Sequence, residues 1–102
     1  MGFIQFKGFL SFLILHELKY KGLAGEDLAK KIGKRKGSEL TPGTIYPALK
    51  KLRMGGYINY TKHGRRKVYT LTNKGGEELE RQYFLFSKYF LGLKKQIRKD
   101  RS

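Results

Sequence analysis

The stretch Thr41-Pro42-Gly43-Thr44-Ile45-Tyr46-Pro47-Ala48-Leu49-Lys50-Lys51-Leu52-Arg53-Met54, followed by Gly55-Gly56, decides the fold. Thr41 suits a helix N-cap, and Pro42 suits the first helical position, where a missing N–H costs nothing. The paired glycines end the segment. Ile45, Leu49 and Leu52 recur at helical spacing and predict an inward stripe, with Ala48 at its edge. The opposite face then carries Gly43, Tyr46, Pro47, Lys50, Lys51 and Met54. Pro47 in the interior removes the backbone bond to the Gly43 carbonyl and should bend the first turns. Departures of this kind are expected near functional sites.

Directly downstream, Tyr57-Ile58-Asn59-Tyr60-Thr61-Lys62 and Lys67-Val68-Tyr69-Thr70-Leu71 are rich in β-branched and aromatic residues. Between them, His63-Gly64-Arg65-Arg66 supplies a glycine for a turn. The pattern predicts a hairpin whose tip presents Lys62, His63, Arg65, Arg66 and Lys67. Upstream, about Ala24 to Lys34 reads as a short helix through Leu28 and Ile32, with Gly37 able to end it. From about Phe6 to Tyr20 a further helix is apolar on two faces. Leu10, Leu13, Ile14 and Leu18 form one, and Phe9, Phe12 and Leu15 the other. Such a helix must be covered from two sides, by its own domain and by a further element or a partner chain.

The last element follows Thr72 or Asn73 as N-cap and places Glu77, Glu78 and Glu80 near the positive helix end. Leu79, Tyr83, Phe86, Phe90, Leu93 and Ile97 step by alternating fours and threes, a heptad register. About 25 residues of helix would extend on the order of 38 Å, more than a domain of this size needs for its own core. That register reads as a dimerisation seam, with Phe9 and Phe12 of the first helix beside it. The domain boundary then falls between a unit over residues 1–73 and a dimerisation helix with a basic tail over 74–102.

Composition narrows the partners. The chain has 102 residues, 23 Lys plus Arg against 8 Asp plus Glu, and net charge +15. Fourteen per cent aromatic residues is too many for a disordered basic tail, so the chain should fold while strongly cationic. The charge calls for an anionic partner, a nucleic acid or an anionic surface. Residues 1–40 carry eight basic and four acidic side chains, residues 41–72 seven and none, residues 73–102 eight and four. The acid-free window coincides with the Pro42 helix and the hairpin. Cysteine is absent, and His16 and His63 stand 47 positions apart. No thiol nucleophile or metal site of ordinary ligand count is expected, and no cofactor. His16 beside Glu17 lacks the third group that catalysis would need, so an enzyme is not expected. No apolar run reaches the roughly 18 residues of a membrane span, and no signal peptide is evident, so a cytoplasmic protein is expected.

The order helix, helix, helix, hairpin, helix, mainly α with one β-hairpin, is that of a winged helix-turn-helix with a long C-terminal dimerisation helix. The second and third helices form the turn motif and the hairpin is the wing. A major groove admits one helix, and a cationic hairpin can lie on the neighbouring backbone. Here the sequence resembles the PadR family of transcriptional regulators. The resemblance rests on Thr41 to Leu49, on Leu52 and Gly56, and on Gly64-Arg65-Arg66-Lys67-Val68-Tyr69 with Leu71, Thr72 and Gly75. The Tyr46-Pro47 pair inside the helix is its most specific part. The resemblance implies a dimeric repressor on a palindromic operator, often released by a small ligand, with dimerisation through the C-terminal region. Arg53, Met54 and Gly55 stand where the family often has acids, Glu26 where an aromatic is common, and no tryptophan is present for a drug-stacking pair.

The candidate double-stranded DNA contacts are Thr41, Gly43, Thr44, Tyr46, Pro47, Lys50, Lys51, Lys62, His63, Arg65, Arg66 and Lys67. Tyr46 can stack on a sugar or bond a phosphate, and Lys50 and Lys51 suit backbone contacts. Two other readings fit the charge. One is an architectural protein that coats DNA irrespective of sequence. The other is a winged helix that binds RNA or protein.

Overall fold

The computed structural model describes residues 6–37 and 40–101. Four helices and three strands follow in the order α1 (Phe6–Glu17), β1 (Leu23–Ala24), α2 (Gly25–Lys36), α3 (Pro42–Met54), β2 (Ile58–His63), β3 (Arg66–Leu71) and α4 (Asn73–Arg101). The fold is mainly helical with a small antiparallel sheet ordered β1-β3-β2. No helix among the described residues is long and apolar enough to cross a membrane.

The predicted inward stripe of α3 is the observed one: Ile45, Leu49 and Leu52 are buried. They meet Ile14 and Leu15 of α1, Leu28 and Ile32 of α2, Ile58 of β2 and Leu79 of α4 in one cluster. Thr41 occupies the N-cap position with an extended backbone. Its carbonyl accepts from the Thr44 and Ile45 N–H groups. Its hydroxyl, however, bonds the Thr44 hydroxyl at 3.1 Å rather than a backbone N–H. Helix α1 stops at Glu17 instead of Tyr20, because the turn tightens: Leu18 N–H reaches the Ile14 carbonyl but Lys19 N–H reaches His16.

Two features of the sheet go beyond the sequence reading. Leu23 and Ala24 pair with Tyr69 and Val68, adding a third strand. Two residues of strand carry no usable periodicity. The hairpin is also tighter than predicted, because His63 and Arg66 are themselves a cross-strand pair. Only Gly64 and Arg65 form the turn, and Gly64 has φ +66°. A glycine at the first central position suits a II′ turn.

Helix α4 is anchored at its first residues. Thr72 settles the choice of N-cap: its Oγ accepts from Gly75 N–H at 3.0 Å and donates to the Gly56 carbonyl at 2.6 Å. Its N–H donates to the Tyr57 carbonyl at 3.2 Å. Gly75 lies so tightly over that carbonyl that a Cβ would collide with backbone. Helix α4 then covers the second apolar face of α1. Phe86 packs on Phe12 with ring centroids 4.6 Å apart and on Phe9 at 6.1 Å. Tyr83 sits edge-on to Phe12 and its hydroxyl bonds His16 Nδ1 at 2.6 Å.

Part of the expected seam packs within the chain: Leu79 is in the core, and Phe9, Phe12, Tyr83 and Phe86, half-buried, meet one another between α1 and α4. Heptad spacing cannot tell a helix of the same chain from a copy of itself. Phe90 and Leu93 continue the register and are exposed. Ile97 lies in α4, but its side chain is outside the described residues.

Replacing Gly75 by Ala should force the α4 start off the Tyr57 carbonyl. The expected loss is about 3 kcal/mol of stability, at the upper end of overpacking penalties, read by denaturant unfolding. Gly92→Ala, in open space on the same helix, should leave stability unchanged or slightly raised.

Candidate nucleic-acid interface

Helix α3 turns Thr41, Gly43, Tyr46, Pro47, Lys50, Lys51, Arg53 and Met54 to solvent, with Thr44 half-buried at the edge. The core stripe fixes this orientation, since Ile45, Leu49 and Leu52 can face only one way. The wing carries Lys62, His63, Arg65, Arg66 and Lys67, all exposed. Lys62 and Lys67 stand directly opposite each other across the β2–β3 ladder. Like charges so placed repel, and an anion laid over them relieves the repulsion.

The two groups are brought together by aromatic side chains. Tyr60 packs against Tyr69 across the strands at 5.7 Å. Its ring receives Lys67 Nζ at 4.8 Å and the Arg53 guanidinium at 5.4 Å. Arg53 thus links the end of α3 to the wing. Burial holds the Tyr69 hydroxyl above its ordinary pKa, with smaller upward contributions from Tyr46 and Tyr60 opposed by Arg53. At neutral pH it is an uncharged phenol.

Between α2, α3 and β3 lies an open cleft of about 380 Å³ lined by Ala24, Gly25, Glu26, Tyr46, Arg65, Arg66, Lys67 and Tyr69. Tyr46 is its wall. It is 45% exposed, yet the hydroxyl end of its ring lies against Gly25, where a Cβ would stand 2.8 Å from Cε1 and 3.1 Å from the hydroxyl. The outward angle of Tyr46 is therefore right, and its direction is set by the start of α2. Sequence reasoning missed Gly25 as a site residue because the contact joins residues 21 positions apart.

Two other candidates are placed otherwise than expected. Arg66 is turned inward across the cleft, its Nη2 lying 3.0 Å from Glu26 Oε1 and 2.8 Å from Asp27 Oδ2. His63 Nε2 is bonded to the Thr61 hydroxyl at 3.2 Å, along its own strand. Lys74 donates to the Gly55 carbonyl at 2.7 Å and lies over the Tyr57 ring, closing the end of α3. Lys50, Lys51, Lys62, Arg65 and Lys67 remain as the cations that rim this face.

A helix with an outward polar face beside a cationic two-stranded wing defines a winged helix DNA-binding regulator. The sequence profile of the PadR-like family of transcriptional regulators matches residues 14–81, and the chain belongs to that family. A PadR-like transcription factor from Bacteroides fragilis superimposes with a TM-score of 0.77 at 25% identity, over 86% of this chain and 89% of that one. A PadR family transcription regulator from Clostridium difficile R20291 does so at 0.65 and 36% identity, over 84% and 97%. The transcriptional activator GvpE1 of Halobacterium salinarum is 34% identical over 71 residues, 65% of this chain. The chain spans 37% of that relative's length. The chain thus carries the winged helix of a PadR-like transcriptional regulator.

Gly25→Ala should push the Tyr46 ring aside without disturbing the core. Duplex binding should weaken as it does for Tyr46→Ala. In the double variant the two losses should overlap by about 1 kcal/mol or more, as for residues in direct contact. Titration of the four proteins against one labelled duplex checks this.

Proposed function

We propose that the chain binds a palindromic operator as a homodimer and represses by occupying it. Helix α3 enters the major groove and offers Tyr46 and Lys50 to base edges or sugars, with Thr41, Gly43, Thr44, Pro47 and Lys51 lying along the groove wall. The wing lies on the adjacent backbone through Lys62, Arg65 and Lys67. The observation that carries this reading is the acid-free outward face of α3 continuing into the Lys62–Lys67 cross-strand pair.

The homodimer rests on α4. Beyond Phe86 its heptad positions Phe90 and Leu93 are 63% and 62% exposed, and Leu85 and Tyr89 beside them are exposed as well. A second copy is the natural occupant, because an isologous pairing of α4 repeats the same register on both sides. It also turns two recognition helices to one side, setting half-sites about 34 Å apart. Repression is favoured over activation by economy: blocking a promoter requires only the reader and the seam. The halophilic relatives named as activators make the opposite sign the outcome to test against.

If each protomer neutralises about four phosphates, log affinity should fall with log salt with a slope near −7 for the dimer. A flat dependence would remove the electrostatic part of the reading. Sites selected from random duplexes should be inverted repeats, whereas an architectural coater would return none. Phe90→Glu should yield a monomer in sedimentation, with specific affinity lost far more than folding. Transcription in vitro from a promoter overlapped by the selected site should fall on adding the protein; a rise would assign activation.

A further inference from the structure

The wing has an internal tether that the DNA reading does not use. Helix α2 begins at Gly25 after Ala24, whose side chain offers no cap. Glu26 and Asp27 fill the first turn and suit the positive end of the helix. They stand, however, on a surface otherwise built of cations, and Glu26 lines the same cleft as Arg65 and Lys67. A phosphate approaching that cleft would meet two carboxylates. Arg66 reaches both with one nitrogen, at 3.0 Å to Glu26 and 2.8 Å to Asp27, the latter 39 positions away in the chain.

We propose that Arg66 is a positioning residue for DNA binding and not a DNA contact. It fastens the tip of the wing to the start of α2 and neutralises Glu26 and Asp27, leaving Arg65 and Lys67 to meet the phosphate. Helix stability wants acids at the start of α2, and the DNA face does not. Arg66 reconciles the two, because it satisfies the carboxylates without unseating the helix. The inference rests on the duplex-binding reading above. It adds that one of the wing's two arginines works inside the protein.

The test is a cycle between Arg66→Ala and the isosteric pair Glu26→Gln/Asp27→Asn. All three side chains are substantially exposed, so the variants keep the core intact. Duplex affinity is measured against salt for each. Arg66→Ala should weaken binding about fivefold or more in the natural background, the upper range for an exposed charge network. In the Gln/Asn background the same change should cost less than about twofold. The salt slope should stay unchanged on losing Arg66 and become shallower by about one for Arg65→Ala. An equal cost in both backgrounds, no cost at all, or a slope shallower by about one on losing Arg66 overturns the proposal.

A DNA-free arm separates the tether from the DNA reading. Amide exchange at the wing tip should quicken to the same degree in Arg66→Ala and in Glu26→Gln/Asp27→Asn, and not in Arg65→Ala. Unchanged exchange overturns the tether. Absence of salt-dependent duplex binding by the unaltered chain would instead overturn the DNA reading.

Discussion

Strand β3 is paired on both edges, to β1 through Leu23–Tyr69 and Ala24–Val68, and to β2 through six residue pairs ending at His63–Arg66. Its register governs what faces outward. Tyr69 points into the core and Lys67 lies two residues away, so Lys67 projects on the same side over Tyr60. A slip of one residue would turn Tyr69 and Lys67 together to the opposite face and bring Val68 or Thr70 to the core side. The burial of Tyr69 and Ile58 therefore fixes the wing's cations in space. Because β1 leads directly into α2, the same pairing brings Gly25 under Tyr46 and the α2 acids within reach of Arg66.

The charge of +15 acquires structure from this frame. Not every cation near the wing faces a ligand. Arg53 lies over the Tyr60 ring, Lys74 closes the end of α3, and Arg66 is held by two carboxylates. Near the α4 start, Arg81 holds Glu78 with hydrogen bonds of 3.1 and 2.6 Å, and that pairing draws the Glu78 carboxyl below its ordinary pKa. Some basic residues near the interface are thus mortar between elements, and the remainder form its rim.

The apolar surplus divides in a similar way. Helix α4 is 29 residues long, and its first turns complete the core while Tyr83 and Phe86 cover α1. The aromatic cluster of Phe9, Phe12, Phe86 and Tyr83 is then closed at one end by the His16–Tyr83 bond. Only beyond that point do Phe90 and Leu93 face solvent. The two-faced α1 was readable from its composition, and so was the need for a second cover. That the cover is α4 of the same chain depends on Gly75 seating α4 against Tyr57, a contact no periodicity reports.

The sequence by itself determined the recognition helix, its buried and exposed faces, the hairpin and the long C-terminal helix, because each follows from local periodicity, capping and turn chemistry. It also determined the family, through Tyr46-Pro47 and the residues after the wing. Tertiary structure alone decided which side chains near the interface are free. Arg65 and Arg66 are adjacent and chemically identical, and they differ only because the ladder sends one outward at the turn and the other toward Glu26 and Asp27. The same holds for Leu79 and Leu93, equivalent in the heptad and separated by what happens to lie opposite. Local sequence sets what a residue can do; partners distant along the chain set whether it is already occupied.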